Sequence, residues 1–481
     1  MWVLKYESTS SCISETNEPT TARRKNLMNE TVKIQDVPVT RRQAIGVAGA
    51  AGALASLGAL GSESPASAAT TELNVWMYNE PSRTAIQDAQ IAAYEKANPG
   101  ITIKLSRTDF GTYYTKLAAA IASKTLPDVF MMSGAYFYSA VNSGALLDIT
   151  ERVAAAKISM NNYFFTPTGE DVSWQGKTYG IPGEIDTVAL AYNEDMFKKA
   201  GLALPTAGMS WATLLKSAQA LTKKRADGKQ QYGFYSRNSS QEAWGSFVRQ
   251  NGGNFLDSTG TKGALQSSKA IEAIQFSVDL IHKYKVSPSP LGVSSLPGYI
   301  ESTGNPFLTG LLGMKFQGNY EMALLSQIKD FKWNVVQMPK KVKAGGIGWY
   351  QSWVIGSSTS NPDEAWKFLN FMVTKGQTIM AETPGRGLTP SLKSATKDPL
   401  FQKSTAPDMR AWTVGWKDHF DFSFHPAWLE YQGIYSKALD PCFNDNASIK
   451  DAVNGATSAV NAALANYPWF DSSKLSQVGI A

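Results

Sequence analysis

The chain has 481 residues, of which 43% are hydrophobic and 18% charged, with a formal net charge of +6. This is the composition of a globular protein with room for two or three domains, and it excludes a disordered or fibrous chain. The net charge is small and no Lys/Arg cluster is longer than Lys223-Lys224-Arg225, so nucleic-acid binding has no electrostatic footprint. Two cysteines, Cys12 and Cys442, exclude a disulfide framework and a paired-cysteine metal site.

The first distinct segment, residues 40–61, reads "TRRQAIGVAGAAGALASLGALG". The pair Arg41-Arg42 precedes an uncharged run from Ala44 to Gly61, dominated by Ala and Gly, whose transfer into hydrocarbon is weakly favourable at best. Ala66-Ser67-Ala68 supplies a small-x-small cleavage site, and the whole resembles a twin-arginine signal peptide, an address rather than an anchor. Residues 1–68 are therefore expected to be a leader. Met28 begins a more ordinary one, so residues 1–27 read as a mis-assigned start or an extension. No cysteine lies at or just after the cleavage region, so no lipid anchor is expected.

Globular sequence begins with a strand, Leu73 to Tyr78, that breaks into polar Asn79 and Glu80 and then Pro81. A helix is expected over 85–97, with Ile86, Ala89, Ala93 and Ala97 on one face and a stop at Asn98-Pro99-Gly100. A strand over 101–106, a helix over 112–123 and the apolar strand "LPDVFMM" complete βαβαβ across residues 72–132, the opening of a parallel α/β lobe. Such folds hold ligands at the carboxyl ends of their strands.

Further on, residues 187–193 read as a strand, and "SSKAIEAIQFSVDLIHKY" as an amphipathic helix with Ile271, Ile274, Val278 and Ile281 inward. Asn361 is the expected cap of a helix with Pro362 at its first position. Periodicity assigns Trp353 and Trp366 to the core, and Cys442 reads as a small buried hydrophobe. The three histidines, His282, His419 and His425, match no common zinc spacing, and neither "GGIGWY" nor "GRGLTP" completes G-x-G-x-x-G. Neither a metal nor a cofactor is expected.

Several stretches together carry a resemblance: "AYEKANPGITIKL", "YYTKLAAAIASKTLPDVFMM", "NSGALLDIT", "GKTYGIPGEIDTVALAYNEDMFKKAGL", "SWATLLKSAQALTKK", "RQNGGNFLD", "GLLGMKFQGNYEMALL", "GWYQSWVIGSSTSNPDEAWKFLNFM" and "GLTPSL". In this order and spacing, over nearly all of residues 72–470, the chain resembles the extracellular solute-binding proteins of ABC importers, in the sugar-binding family that includes maltose-binding protein. The resemblance implies an α/β, type II periplasmic-binding-protein fold of two lobes with the solute in the cleft between them. The lobes would comprise residues 69–184 with 339–395, and 185–338 with 396–481, and Pro182 to Asp186 would be the first crossing. It also implies a monomer outside the cytoplasmic membrane, with a sugar ligand and the permease subunits and ATPase of an importer as partners.

A sugar presents hydroxyls that need directional partners and a C–H face that packs on an aromatic ring. Asn79 and Glu80 end the first strand, Asp109 follows the second, and Ser133 with Tyr136 follows the third. By resemblance these contact solute, as does Asp186, an acid at the crossing that accepts hydroxyl hydrogen bonds. On the facing lobe the resemblance points to Tyr320, Trp244, Trp349, Trp428 and Arg386. Competing structural roles are helix capping by Asn79 or Asp109 and pairing of Asp186 with a basic residue. The rival function is a secreted glycoside hydrolase. Geometry argues against Glu184 and Asp186 as its carboxylates, because residues two apart on a strand share a face and leave little room for a sugar, whereas a retaining pair needs about 5 Å. A pair such as Asp109 with Asp186 stays open, as does a polyol or glycerol-phosphate-like ligand.

Overall fold

Where the sequence turns from apolar alternation to Asn79, strand β1 (Thr71–Tyr78) ends. It is followed by helix α1 (Pro81–Ala97), β2 (Ile101–Thr108), α2 (Phe110–Ser123), β3 (Val129–Ser133) and α3 (Gly134–Asn142). The computed structural model describes residues 70–163, 172–240, 242–301, 304–383, 388–399, 407–413 and 425–470; Arg386 and the segment expected to be a leader lie outside them. β1 pairs in parallel with β2 and with β3, which gives the expected βαβαβ arrangement. Every residue of β3 is buried, as a short apolar run without alternation requires.

Helix α1 departs from expectation in its inward face, which is Arg83, Ile86, Gln87, Gln90 and Tyr94, while Ala97 is exposed and Ala89 and Ala93 are half-buried. Alanines are too small to mark a face, and the buried polar groups are tolerated because they are bonded. Gln90, for one, donates from its amide to the Gly376 carbonyl at 2.8 Å.

Two short hairpins, β4 (Ser173–Trp174) with β5 (Lys177–Thr178) and β7 (Lys223–Lys224) with β8 (Gln230–Gln231), flank the organising strand β6 (Gly180–Asn193). The remaining strands are β9 (Met314–Gly318), β10 (Trp333–Val336), β11 (Gly348–Ile355) and β12 (Thr389–Pro390), and the main sheet runs β10-β6-β11-β3-β1-β2, with β9 and β12 also on β6. From Gly180 to Thr187, β6 pairs antiparallel with β11; from Val188 to Tyr192 it pairs with β9, and from Leu190 to Asn193 with β10. The segment Pro182 to Asp186 is thus the first half of one continuous strand whose residues are all buried. Sequence periodicity showed only its second half, residues 187–193, since proline and glycine in a strand interior weaken its signature. The sheet absorbs Pro182 and Gly183 at a register shift between Gln351 and Ser352. Gly183 is needed for close approach, since a Cβ there would lie 2.6 Å from the Trp353 indole.

β6 also distributes itself among three hydrophobic cores. Ile181 joins the first, with Val75, Met77, Phe130, Trp353 and Phe368. Val188 and Leu190 join the second, with Phe234, Phe247, Ile274, Phe316 and Tyr431; Ala189 and Ala191 join a third, with Phe307, Leu325 and Trp412. Trp353 is core and Trp366 half-buried against it; Ile274, Val278, Ile281 and Cys442 are buried and Ile271 half-buried. Asn361 stands at the expected cap position, but its side chain makes no cap bond; its backbone N–H donates to the Thr359 hydroxyl at 3.1 Å. Among the described residues no helix is long and apolar enough to cross a membrane.

Candidate functional site

The carboxyl ends of β1 and β3 open beside the middle of β6 and β11. There a cavity of ≈ 220 Å³ is lined by Tyr78, Glu80, Arg83, Phe110, Ser133, Ala135, Tyr136, Asp186, Tyr320, Trp349, Gln351, Trp428 and Leu429. The secondary structure explains why these side chains converge. Tyr78 ends β1, Glu80 stands at the N-cap position of α1, and Arg83 lies in its first turn. Ser133 ends β3 and donates its backbone N–H to the Tyr114 hydroxyl at 2.7 Å, while Tyr136 in α3 stacks on the Tyr114 ring at 3.7 Å. The β6–β11 register puts Trp349 opposite Asp186 and Gln351 opposite Glu184.

The floor is a charge cluster around Arg83, which is 1% exposed. Its Nε donates to Glu184 at 2.9 Å, its Nη1 to Glu80, and its Nη2 to Glu184 and, at 3.4 Å, to the Oδ2 of Asp186. The guanidinium lies 4.6 Å from the centre of the Tyr78 ring. The Gln351 amide donates to the same Asp186 Oδ2 at 3.1 Å. One cation thus serves three carboxylates. Burial pushes the Glu184 carboxyl up to about 7, with Arg83 opposing and the charge of Asp186 adding to it. Burial also raises Asp186, against the pull of Arg83, Gln351 and the Trp349 indole. The Oδ1 of Asp186 and the Oε1 of Gln351 are buried without a well-formed hydrogen bond to the protein; the Trp349 indole pulls on the Asp186 carboxyl but does not reach bonding geometry. Each such group costs about 1–3 kcal/mol unless something arrives to bond it.

The facing wall is aromatic. The Tyr320 ring, in the turn after β9, lies 5.7 Å from Trp349 at 42°, and Trp428 opens the helix Trp428–Asp445. The Tyr320 hydroxyl donates to Glu242, a buried carboxylate held also by Arg237 and by Lys315. Burial opposes ionisation of Glu242, but Lys315, Arg237 and the Tyr320 hydroxyl together bring its carboxyl down to about 2.

Of the residues singled out in the sequence, Glu80, Ser133, Tyr136, Asp186, Tyr320, Trp349 and Trp428 come together here. Asn79 and Asp109 do not line the cavity. Asn79 is exposed and accepts from the Thr84 hydroxyl at 2.6 Å; Asp109 is exposed and caps α2, accepting the Thr112 N–H at 3.0 Å, and the side chain and N–H of Thr112 together lower its carboxyl. Trp244 is corrected to a core residue: it is 0% exposed, its indole N–H donates to the Asn238 side chain at 2.9 Å, and the whole helix Trp244–Gln250 is buried. Arg386 lies outside the described residues.

Tyr78, Arg83, Phe110, Ala135, Gln351 and Leu429 were not anticipated. Gln351 was within reach of a period-two argument from Trp349, and Tyr78, Phe110 and Leu429 each adjoin a residue that was named. Both carboxylates of the pair Glu184 and Asp186 bond the one Nη2 of Arg83, which leaves no gap between them for a glycosidic bond. Asp109 is a helix cap away from the cavity lining.

Residues 89–410 match the family of bacterial extracellular solute-binding proteins. A binding protein of Brucella abortus (strain 2308) is 28% identical over 408 residues, 81% of this chain and 93% of that protein. The galactooligosaccharide-binding protein of Bacillus subtilis (strain 168) is 23% identical, over 72% of this chain and 78% of its own. An ABC substrate-binding protein from Listeria monocytogenes, solved in complex with cycloalternan, superposes with a TM-score of 0.73 at 21% identity, covering 82% of this chain and 99% of that one. These likenesses give the fold as the two-lobed type II periplasmic-binding-protein fold. With its family model covering most of the globular sequence, the chain belongs to the bacterial extracellular solute-binding proteins.

Proposed function

We propose that this chain is the extracytoplasmic receptor of an ABC importer, that it captures a di- or oligosaccharide in the cleft as the lobes close, and that it delivers the sugar to membrane permease subunits. The observation that carries the reading is the floor between the aromatic walls, where Asp186 Oδ1 and Gln351 Oε1 are buried acceptors without a well-formed hydrogen bond to the protein. Sugar hydroxyls supply the donors those oxygens lack, and the rings of Tyr136, Tyr320, Trp349 and Trp428 suit the C–H faces. The names of the Bacillus subtilis and Listeria monocytogenes relatives support the same class of ligand. A glycerol-phosphate-like solute fits less well: among the described lining residues the cation is Arg83, and its donors are taken by three carboxylates.

The protein acts as a monomer, exported through the leader and cleaved after Ala68. N-terminal sequencing of the exported protein tests the cleavage site, and a start well beyond Leu73 contradicts it. Thermal melts with maltotriose, lactose, galactobiose and glycerol 3-phosphate test the ligand class, because a solute bound by the folded state alone raises stability by RT ln(1 + [L]/Kd). A neutral sugar should raise the melting temperature; a shift with glycerol 3-phosphate alone overturns the sugar reading.

A further inference from the structure

We propose that Gly318 and Glu242 are positioning residues, which fix the Tyr320 ring as a rigid platform on the second wall of the cleft and so set sugar affinity without touching the sugar. The proposal rests on the reading of the cavity as a sugar site.

Gly318 closes β9 with φ −73, a backbone conformation open to any residue, so its requirement is space rather than flexibility. A Cβ there would fall inside the van der Waals surface of the Tyr320 ring, which packs directly against the glycine. At its far end the ring is tied by its hydroxyl, which donates to Glu242. Glu242 is itself immobilised: Arg237 bonds it, and Lys315, 2% exposed, reaches it at 3.4 Å. Lys315 also bonds Gln317 and Glu321, each at 3.1 Å. Two anions and two cations balance, so Glu242 stays ionised and presents the Tyr320 hydroxyl with a charged acceptor, the stronger kind. Trp349 at 5.7 Å flanks the ring on a third side. A ring held in this way loses little rotamer freedom when a sugar stacks on it, and affinity improves by the ordering cost that binding no longer carries. Neither Gly318 nor Glu242 lines the cavity.

The test uses the mature protein and whichever of maltotriose, lactose and galactobiose binds most tightly, titrated by calorimetry alongside urea unfolding of the unliganded protein. Gly318→Ala displaces the ring and changes no charge; it should weaken binding about tenfold or more. Tyr320→Phe keeps the ring and removes the hydroxyl that donates to Glu242, and should weaken binding a few-fold. In a Tyr320→Ala background, Gly318→Ala should have no further effect on affinity, which a merely structural role for Gly318 would not produce. Wild-type affinity in both Gly318→Ala and Tyr320→Phe overturns the proposal and leaves the sugar reading standing, as does an undiminished effect of Gly318→Ala without the ring. Failure of all three sugars to bind the wild type overturns both.

Discussion

Behind the first wall of the cleft one guanidinium, Arg83, faces three carboxylates, Glu80, Glu184 and Asp186; behind the second, Arg237 and Lys315 face Glu242 and Glu321. Both clusters are largely buried, so the difference is one of charge balance. Where cations and anions match, the carboxylate is held ionised, with Glu242 lowered to about 2 despite its burial. Where anions are in surplus, burial prevails, and Glu184 is pushed up to about 7 while Asp186 keeps one oxygen unbonded. The matched cluster balances its charges within the protein, although the Nε of Arg237 is buried without a hydrogen-bond partner, and serves to hold a ring in place. The unmatched one is incomplete without outside donors, which is the property a binding floor needs.

Removal of single charges should separate the clusters most sharply. Glu242→Gln leaves Lys315 buried with Glu321 as its remaining ionised partner and should cost ~3–5 kcal/mol in urea unfolding, the penalty for breaking a buried pair. Glu184→Gln leaves Arg83 with two carboxylates and should cost less than about 2 kcal/mol, because it also relieves the surplus. Equal losses would contradict the imbalance.

A smaller effect, opposite in sign for the two clusters, should appear in stability against pH. Glu184 binds its proton more tightly folded than unfolded, so its contribution grows as pH falls from about 7 towards 4.5. Glu242 binds its proton less tightly when folded; its contribution is complete above about 4.5 and is lost as pH falls towards 2. Each limb, a difference of about 2.5 pH units between folded and unfolded, is worth on the order of 3 kcal/mol. Chemical denaturation from pH 3 to 8 should therefore pass through a maximum near pH 5, and Glu184→Gln should flatten the limb above it. A curve that rises steadily to pH 8 in the wild type would be inconsistent with the first cluster as described.

Much of the first lobe was legible because its strands and helices follow the periods that burial imposes: β3 is buried throughout and apolar up to Ser133 because both faces are covered, and β1 ends where polar residues begin. The cavity was legible at those strand ends only to within a residue. Asn79 and Asp109 drew attention as polar groups at the right turns, yet polar groups at turns bond locally, and the neighbouring rings of Tyr78 and Phe110 reach the cavity instead. Arg83 was hidden because its partners Glu184 and Asp186 lie 101 and 103 residues away. Trp244 and Trp349 both sit among glycines, and proximity to glycine does not distinguish a platform from a core ring. Phe247 and Val248, three and four positions on, mark Trp244 as part of a buried helix face.

The central claim is that the unbonded oxygen of Asp186 receives a sugar hydroxyl, and calorimetric titration of the wild type and Asp186→Asn with the sugar that raises the melting temperature tests it most directly. The substitution keeps the size of the side chain and replaces a charged acceptor by an amide, so binding should weaken by ~1.5–3 kcal/mol, the worth of a hydrogen bond to a charged group. The wild type should return that sugar chemically unchanged. Undiminished affinity in Asp186→Asn, or steady release of cleaved sugar by the wild type that the substitution abolishes, would contradict the account.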